Sequence, residues 1–481
     1  MSFYHGREFL PQRFRLVPLS VLQAAGLPFF DVLSEEAIQS AFDEQDCSFA
    51  QEDDDVYTPA VTLWAFLSQV LHQKEQRSCL AAVSRVLVLM VALGREACAK
   101  NSGAYCKARA KLSEVVIERL ALEVAQGCEK AIPRHWLWHG HHVKLADGTT
   151  VSMPDTEENQ EEYPQQSSQK EGLGFPLARL VVLMSLATAM VSGMAIGPYS
   201  GKETGEMALM RQLLDQLDPN DILLTDRYFC SYFMIALLLE KKVHFVARLH
   251  HCRKTNYQRV QRLGKNDYLV VWTRPEKPAW MDQETYDEIP KWLTLRQIEL
   301  NVTEAGFRVE SLTVVTTLID AKKYTRDDIA ELYHKRWFVE LDIRSIKVTL
   351  GMDVLRCKSP EMVRKEIWTC LLAYNLIRKT MLQAAKRHKL SPRQLSFTTA
   401  MQTLAASWET LPTLDQPTQL SLIKAQIDSI ASQIVGKPER ANRVEPRATK
   451  RRPKPHRLLT MTREAARALL RRGVDPYEKQ K

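Results

Sequence analysis

From Leu180 to Gly201 the chain carries no charged side chain, and this stretch limits the fold more than any other feature. Its length would let a helix cross a bilayer, which takes about 20 residues. Ser185, Thr188, Ser192, Gly193, Gly197, Pro198 and Ser200 interrupt it, however. Small and hydroxylated residues at that density fit a hairpin of two buried strands better than a membrane span.

The flanking patterns make this an α/β chain. Residues 60–130 read as helices, with apolar residues three and four apart at Leu63, Phe66, Leu67, Val70 and Leu71, and again at Leu112, Val115, Val116 and Leu120. Pro133 ends that region. From His142 the period changes: Val143 and Leu145 alternate with Lys144 and Ala146, and Asp147-Gly148-Thr149 reads as a turn. Residues 155–173 read as a polar loop, Glu203–Leu217 and Tyr232–Glu240 as helices, and Asp221–Asp226 and His244–Leu249 as strands. Residues 250–320 look β-rich and set apart as a separate insertion, with strands at Tyr268–Trp272, Trp292–Val302 and Leu312–Ile319. Thr325 opens a long helix, with Asp328 as its capping-box partner. Further helices run to about 435.

The net charge of +9 is unevenly spread. Residues 437–472 hold thirteen Lys and Arg against three acids, so this tail alone carries +10 and the body is near neutral. Pro438, Pro446, Pro453 and Pro455 hold the tail extended. Such a segment either solubilises or neutralises nucleic-acid phosphates without reading sequence. An acidic stretch from Asp43 to Asp55 reads as a solvated loop. The nine cysteines are irregularly spaced and contain no C-x-x-C, which argues against a disulfide framework and a structural zinc site, and for a reducing compartment. The N-terminus shows no signal-peptide pattern. His135, His139, His141 and His142, with Cys128 nearby, do not match a zinc spacing.

Chemistry gathers on the helix after Thr325. At 100° per residue, Tyr333, Arg336, Glu340, Arg344 and Lys347 share a stripe roughly 80° wide. An exposed face laced with Glu–Arg pairs would give the same stripe. Two strand-end acids, Asp147 and Asp226, add to it, because buried strands that finish in carboxylates present them where a sheet opens toward a ligand. Either alone could be a turn or capping residue. Together with Glu340 they form a set of hard oxygen donors suited to Mg²⁺.

Here the sequence resembles a known family. Tyr333-x2-Arg336-x3-Glu340-x6-Lys347 matches the tyrosine-arginine-glutamate-lysine signature of DDE transposases of the insertion-sequence-four family. Asp147-Gly148-Thr149 with Pro154-Asp155-Thr156, and Thr225-Asp226-Arg227-Tyr228-Phe229, look like that family's first and second acid motifs. The basic segment Tyr105–Lys111 and the tail Glu445-Pro446-Arg447-x3-Arg451-Arg452-Pro453-x-Pro455 are also similar to family segments. The likeness runs in order over most of the chain.

The resemblance implies a ribonuclease H-like core interrupted by the β-rich insertion. It implies a helical DNA-end-binding domain at 1–130, core at 135–249, insertion at 250–320, the Glu-bearing helix and its followers at 321–435, and a basic tail at 436–481. Asp147, Asp226 and Glu340 would be catalytic and would bind two Mg²⁺, with Mn²⁺ able to substitute. Tyr333, Arg336, Arg344 and Lys347 would hold phosphates, as would Tyr105, Lys107, Arg109, Arg451 and Arg452. The substrates would be double-stranded terminal inverted repeats and target DNA, acted on by a homodimer in the bacterial cytoplasm at the nucleoid. Cut-and-paste transfer of a 3′-hydroxyl would follow, in some members through a hairpin. One departure is the stretch Ser311–Thr317, which lacks the Trp that some members stack on a flipped base; Trp272, Trp280 and Trp292 lie elsewhere in the insertion. A metal-dependent nuclease without strand transfer and a non-enzymatic end-binding repressor share much of this pattern.

Truncation at about residue 436 should flatten the slope of log affinity against log salt for non-specific DNA by several units. A filter-binding salt series checks this, and an unchanged slope would leave the tail a solubilising end.

Overall fold

The charge-free stretch is a hairpin. In the computed structural model, which describes residues 35–50, 55–92, 100–250, 261–301, 311–411, 414–435 and 459–477, β2 (Leu177–Ser185) and β3 (Val191–Pro198) pair antiparallel. Their facing side chains are almost all buried. Tyr374 donates its hydroxyl to the carbonyl of Ala189, in the turn between them, at 2.8 Å. Among the described residues no helix is long and apolar enough to cross a membrane.

β1 (Val143–Ser152) precedes the hairpin and pairs with β2 from Lys144 opposite Ser185 to Ser152 opposite Leu177. The Asp147-Gly148-Thr149 segment is therefore strand, not the expected turn. Its nine-residue pairing outweighs a local Asp-Gly preference. β4 (Ile222–Thr225) and β5 (His244–Arg248) add on the other side, both parallel. β6 (Gln261–Gly264), β7 (Asp267–Thr273), β8 (Trp292–Asn301) and β9 (Ser311–Thr316) follow, and the order across the sheet is 3-2-1-4-5-9-8-7-6. The β-rich segment is thus not separate: β9 pairs with β5 and carries the rest as an extension of the same sheet. Arg296 fastens this extension. Fully buried, it grips Asp267 through two donors at 2.8 and 2.6 Å and gives a third bond to the carbonyl of Tyr324 at 2.6 Å.

Helices cover the sheet. On the N-terminal side lie α1 (Glu35–Asp43), α2 (Pro59–Leu71), α3 (Cys79–Ala92), α4 (Gly103–Lys111) and α5 (Glu114–Lys130). α6 (Glu157–Glu162), capped by Thr156, interrupts the expected polar loop. α7 (Glu206–Gln212) joins β3 to β4, α8 (Tyr232–Glu240) joins β4 to β5, and α9 (Gln283–Glu288) joins β7 to β8. Then come α10 (Arg326–His334), α11 (Phe338–Arg344), α12 (Pro360–His388), α13 (Phe397–Ser407), α14 (Gln416–Ser432) and α15 (Arg463–Arg471). The basic α15 is docked through its start: Arg463 lies 5.6 Å over the Phe175 ring, and Ala466 is buried. The tail residues Arg451 and Arg452 lie outside the described residues.

α12 is the spine of the molecule, buried along most of its 29 residues. Its Asn375 amide donates to Ala121 of α5 at 2.9 Å and to Val191 of β3 at 3.0 Å, and its oxygen accepts from the Val191 N–H at 2.9 Å. One contiguous apolar core runs from α1 and α2 through the sheet to α14. The described cysteines are all free thiols.

α11 is locked onto this spine by a charge. Asp342, 2% exposed, accepts from Arg378 of α12 at 2.8 Å and, through its other oxygen, from Arg393 at 2.9 Å. Asp342→Ala leaves two guanidiniums without their shared anion and should destabilise the fold by about 3–5 kcal/mol in urea melts. A loss below about 1 kcal/mol would mean that the arginines find other partners.

Candidate active site

β1 and β4 part company early. They pair only at Val143, Lys144 and Leu145, opposite Ile222, Leu223 and Leu224. Asp147 stands two residues further along β1, and Asp226 directly follows the last residue of β4, close enough for its charge to act on Asp147. If the β4 register continued one residue past its end, Asp226 would fall opposite Asp147 on one face of the sheet. β4 ends at Thr225, so this is the point where the edge of β1 opens. Asp147 accepts from the Gly148 N–H at 2.8 Å, and Asp226 from the Tyr228 N–H at 2.8 Å. Both acids are half-buried.

The helix with the third acid starts as expected. Thr325 caps Asp328, whose carboxylate returns the bond to the Thr325 N–H at 2.8 Å. It is not uniform beyond that point. α10 passes through a 3₁₀ turn at Lys335–Trp337 into α11 and then into a π turn at Ser345–Thr349. The π turn rotates Lys347 away from the ideal stripe, and its ammonium bonds the carbonyl of Thr150 on β1 at 2.6 Å. The segment after it pairs with the same strand: Ser152 donates to Asp353 at 3.1 Å, and Leu355 to Ser152 at 2.8 Å. Glu340 and Lys347 thus ride on an element tied to the strand of Asp147.

Electrostatics link these groups. Burial, with the neighbouring charges of Asp226 and Glu206, pushes the Asp147 carboxyl up to about 6, against the pull of the Gly148 N–H and of Arg336. Arg336 bonds Glu340 at 2.8 Å and faces Asp147 and Tyr333. Burial alone would lower its pKa, but these neighbours raise it. Burial also raises the Tyr333 hydroxyl, partly offset by Arg336 and Arg248. The Lys347 ammonium is lowered by burial. The structure therefore gathers Asp147, Asp226, Tyr333, Arg336 and Glu340 into one charged cluster, with Arg336 standing where positive charge is needed. Among the described residues no three His, Cys, Asp or Glu side chains are drawn close enough to ligate one ion; Glu340 is turned to Arg336.

Residues 138–376 match the family model described as Transposase DDE domain. The chain is 28% identical over 397 residues to the transposase InsG for insertion sequence element IS4 of Escherichia coli (strain K12), covering 81% of this chain and 85% of that protein. The chain belongs to the insertion-sequence-four family of DDE transposases. A second relative, the putative transposase InsZ of the same strain, is 30% identical over 141 residues, 29% of this chain and 46% of that one. A piggyBac transposase in a synaptic complex with hairpin DNA superposes with a TM-score of 0.42 at 10% identity, covering 90% of this chain and 89% of that one.

The transposase is an enzyme that acts on DNA, and its family generally works with divalent metal ions. The donor chemistry fits such an ion. Asp147 on β1 and Asp226 just past the end of β4 are hard oxygen donors, and the repulsion from Asp226 that adds to burial in raising Asp147 is what a cation relieves.

Other expected site residues fall elsewhere. Tyr105 is fully buried in the N-terminal core, and its hydroxyl bonds Gln69 at 2.5 Å. Arg109 shares that Gln69 oxygen at 3.1 Å and lies 4.9 Å over the Phe66 ring. Tyr105 is thus buried and Arg109 half-buried; Lys107, on the same helix, is exposed, as is Arg344. The histidines near 140 serve packing: His141 bonds the carbonyl of Asn220 and the hydroxyl of Tyr324, and Trp138 stacks on Tyr324. Trp272 is buried, Trp280 lies under Arg211, and Trp292 is exposed. Two residues near the site escape the sequence reading: Arg248 at the end of β5 and Glu206 at the start of α7. Arg248 had a signal, since it ends the third parallel strand.

The raised Asp147 fixes a sign. Between about pH 4 and 6 the unfolded carboxyl has lost its proton while the folded one keeps it, so stability falls as pH rises and the full penalty stands above about 6. Asp147→Asn should therefore stabilise the metal-free protein by about 1–2 kcal/mol at pH 7.5, after solvent screening, and far less at pH 4. Urea melts in EDTA at the two pH values check this; an equal gain at both would detach the effect from the charge.

Proposed function

We propose that this transposase cuts DNA at the ends of its element and joins the freed 3′-hydroxyl to target DNA at one site built from Asp147, Asp226 and Glu340. The observation that carries the reading is the placement of the two aspartates where β1 and β4 part, with the Glu340 helix fastened to β1. The order 3-2-1-4-5, with three antiparallel strands and then two parallel ones, supports a ribonuclease H-like core that β6–β9 extend.

The three acids would hold two Mg²⁺ (Mn²⁺ can replace it), which supply charge to activate an attacking oxygen and to steady the leaving one. The remaining work belongs to the side chains. Arg336 can take a phosphate through two donors once it releases Glu340. Tyr333 offers a neutral hydroxyl beside it, kept protonated by burial. Lys347 and the exposed Arg344 supply further positive charge along the same element. Lys107 lies on the surface of α4, with Tyr105 and Arg109 anchoring that helix from beneath. Arg451 and Arg452 add sequence-blind affinity. The natural working unit is a pair of chains on two DNA ends.

The test is a single-turnover reaction in Mg²⁺ with end DNA and a target plasmid. Wild-type protein should cut the end and yield joined product. Glu340→Ala should lower both steps by about 10²-fold or more, with the thermal melt unchanged. Cutting without joining would identify a nuclease, and wild-type rates in Glu340→Ala would remove Glu340 from the site.

A further inference from the structure

The segment that carries Glu340 and Lys347 ends in a π turn, and the last carbonyls of a helix have no partner within it. Here the carbonyls of Thr349, Leu350 and Gly351 follow one another, and all three accept bonds from one distant stretch of chain. The Gln73 amide donates to Thr349 at 2.8 Å. The Arg77 guanidinium donates to Leu350 at 3.3 Å and to Gly351 at 2.7 Å. Gln73 precedes and Arg77 closes the 3₁₀ turn Lys74–Arg77, between α2 and α3. A cation at the end of a helix also suits the helix dipole.

The space is shaped for this contact. Gly351 holds φ at +72°, where a side chain is strained, and a methyl group built on it would lie 2.9 Å from Nη1 of Arg77. Arg77 itself is only 6% exposed. Its second terminal nitrogen pairs with Glu366 of α12 at 3.2 Å. The other Glu366 oxygen accepts from the N–H groups of Arg356 and Cys357, at 2.8 and 2.9 Å. One buried ion pair therefore grips the link between the π turn and α12 near both of its ends.

That link in turn shapes the π turn. The Leu350 N–H bonds the carbonyl of Ser345 at 3.0 Å, Met352 that of Ile346 at 3.3 Å, and Asp353 that of Lys347 at 3.2 Å. A π turn is a rare departure from the α-helix, and this one is closed by residues 350–353, which Arg77 fixes from outside. Lys347 leaves the turn toward the Thr150 carbonyl on β1.

Resting on the place given to Lys347 in the site above, we propose that Arg77 is a positioning residue for Lys347. It caps the end of the Glu340 segment from the N-terminal half of the chain and so holds the turn that aims the ammonium along β1. It acts through the backbone of residues 350–353.

The test is a double-mutant cycle on the full-length chain, read as the single-turnover rate of end cutting in Mg²⁺ at saturating end DNA. Arg77→Lys keeps a cation beside Glu366, but one ammonium cannot serve Glu366 and both carbonyls as the forked guanidinium does. It should slow cutting by about 10- to 100-fold, with circular dichroism unchanged. Affinity for end DNA, spread over many phosphates, should stay near that of the wild type. Lys347→Ala should slow cutting too, and adding Arg77→Lys to it should cost nothing further, because the group being aimed is gone. If the two losses multiply instead, Arg77 is general support for the fold and the proposal is overturned. A wild-type rate in Arg77→Lys, with Lys347→Ala slow, overturns it as well and leaves Lys347 in the site. A wild-type rate in Lys347→Ala removes both assignments. Should Arg77→Lys misfold, the exposed Gln73→Ala takes its place in the same cycle, where a wild-type rate overturns the proposal.

Discussion

β4 pairs with β1 over three residues and then stops, which leaves the far half of β1 with one edge unclaimed. Much of the site follows from that early stop. It puts Asp226 just past a strand end and Asp147 beside an open edge. It frees β1 to receive Leu355 and the Lys347 ammonium from the Glu340 segment. A longer β4 would pair with the far half of β1 and close that edge. β1 carries its load because β2 supports it along nine residues on the other edge.

Converging carboxylates need counter-charge, and the chain supplies two kinds. Arg378 and Arg393 neutralise Asp342 completely, in a buried clamp that sets the position of α11. Arg336 meets Glu340 in a half-exposed pair, which holds far less firmly. The two acids sit two residues apart on one helix and differ in how they are held: one fastens the helix, and the other is met by a single half-exposed guanidinium. The protein is in this sense neutralised from within.

The sequence was most legible where periodicity and chemistry agree. The charge-free stretch points to a hairpin because its Ser, Gly and Pro residues suit buried strands and a turn better than a membrane helix, and the Thr325–Asp328 cap lies where its spacing puts it. Legibility failed where long-range pairing decides. Asp147-Gly148-Thr149 has turn composition, but β2 holds it straight. Tyr105 and Arg109 look like a DNA-facing pair in a basic segment, but Gln69, thirty-six residues earlier than Tyr105, draws both inward. Residues 250–320 show their strands plainly, yet nothing local says that β9 will join β5. Glu206 gives no local sign at all: it is one acid at the start of a short helix, and only the fold brings its charge near Asp147.

The route of α12 has a consequence for how such a protein can change. Asn375 is bonded at once to an N-terminal helix and to β3, and a single apolar core runs through both regions. The N-terminal helices therefore share their interior with the rest of the described chain. They cannot be exchanged between relatives as a cassette, because either half of the resulting chimera would lack part of its interior. New specificity in a lineage built this way has to arise by substitution at solvent-facing positions, one residue at a time, on a scaffold inherited whole.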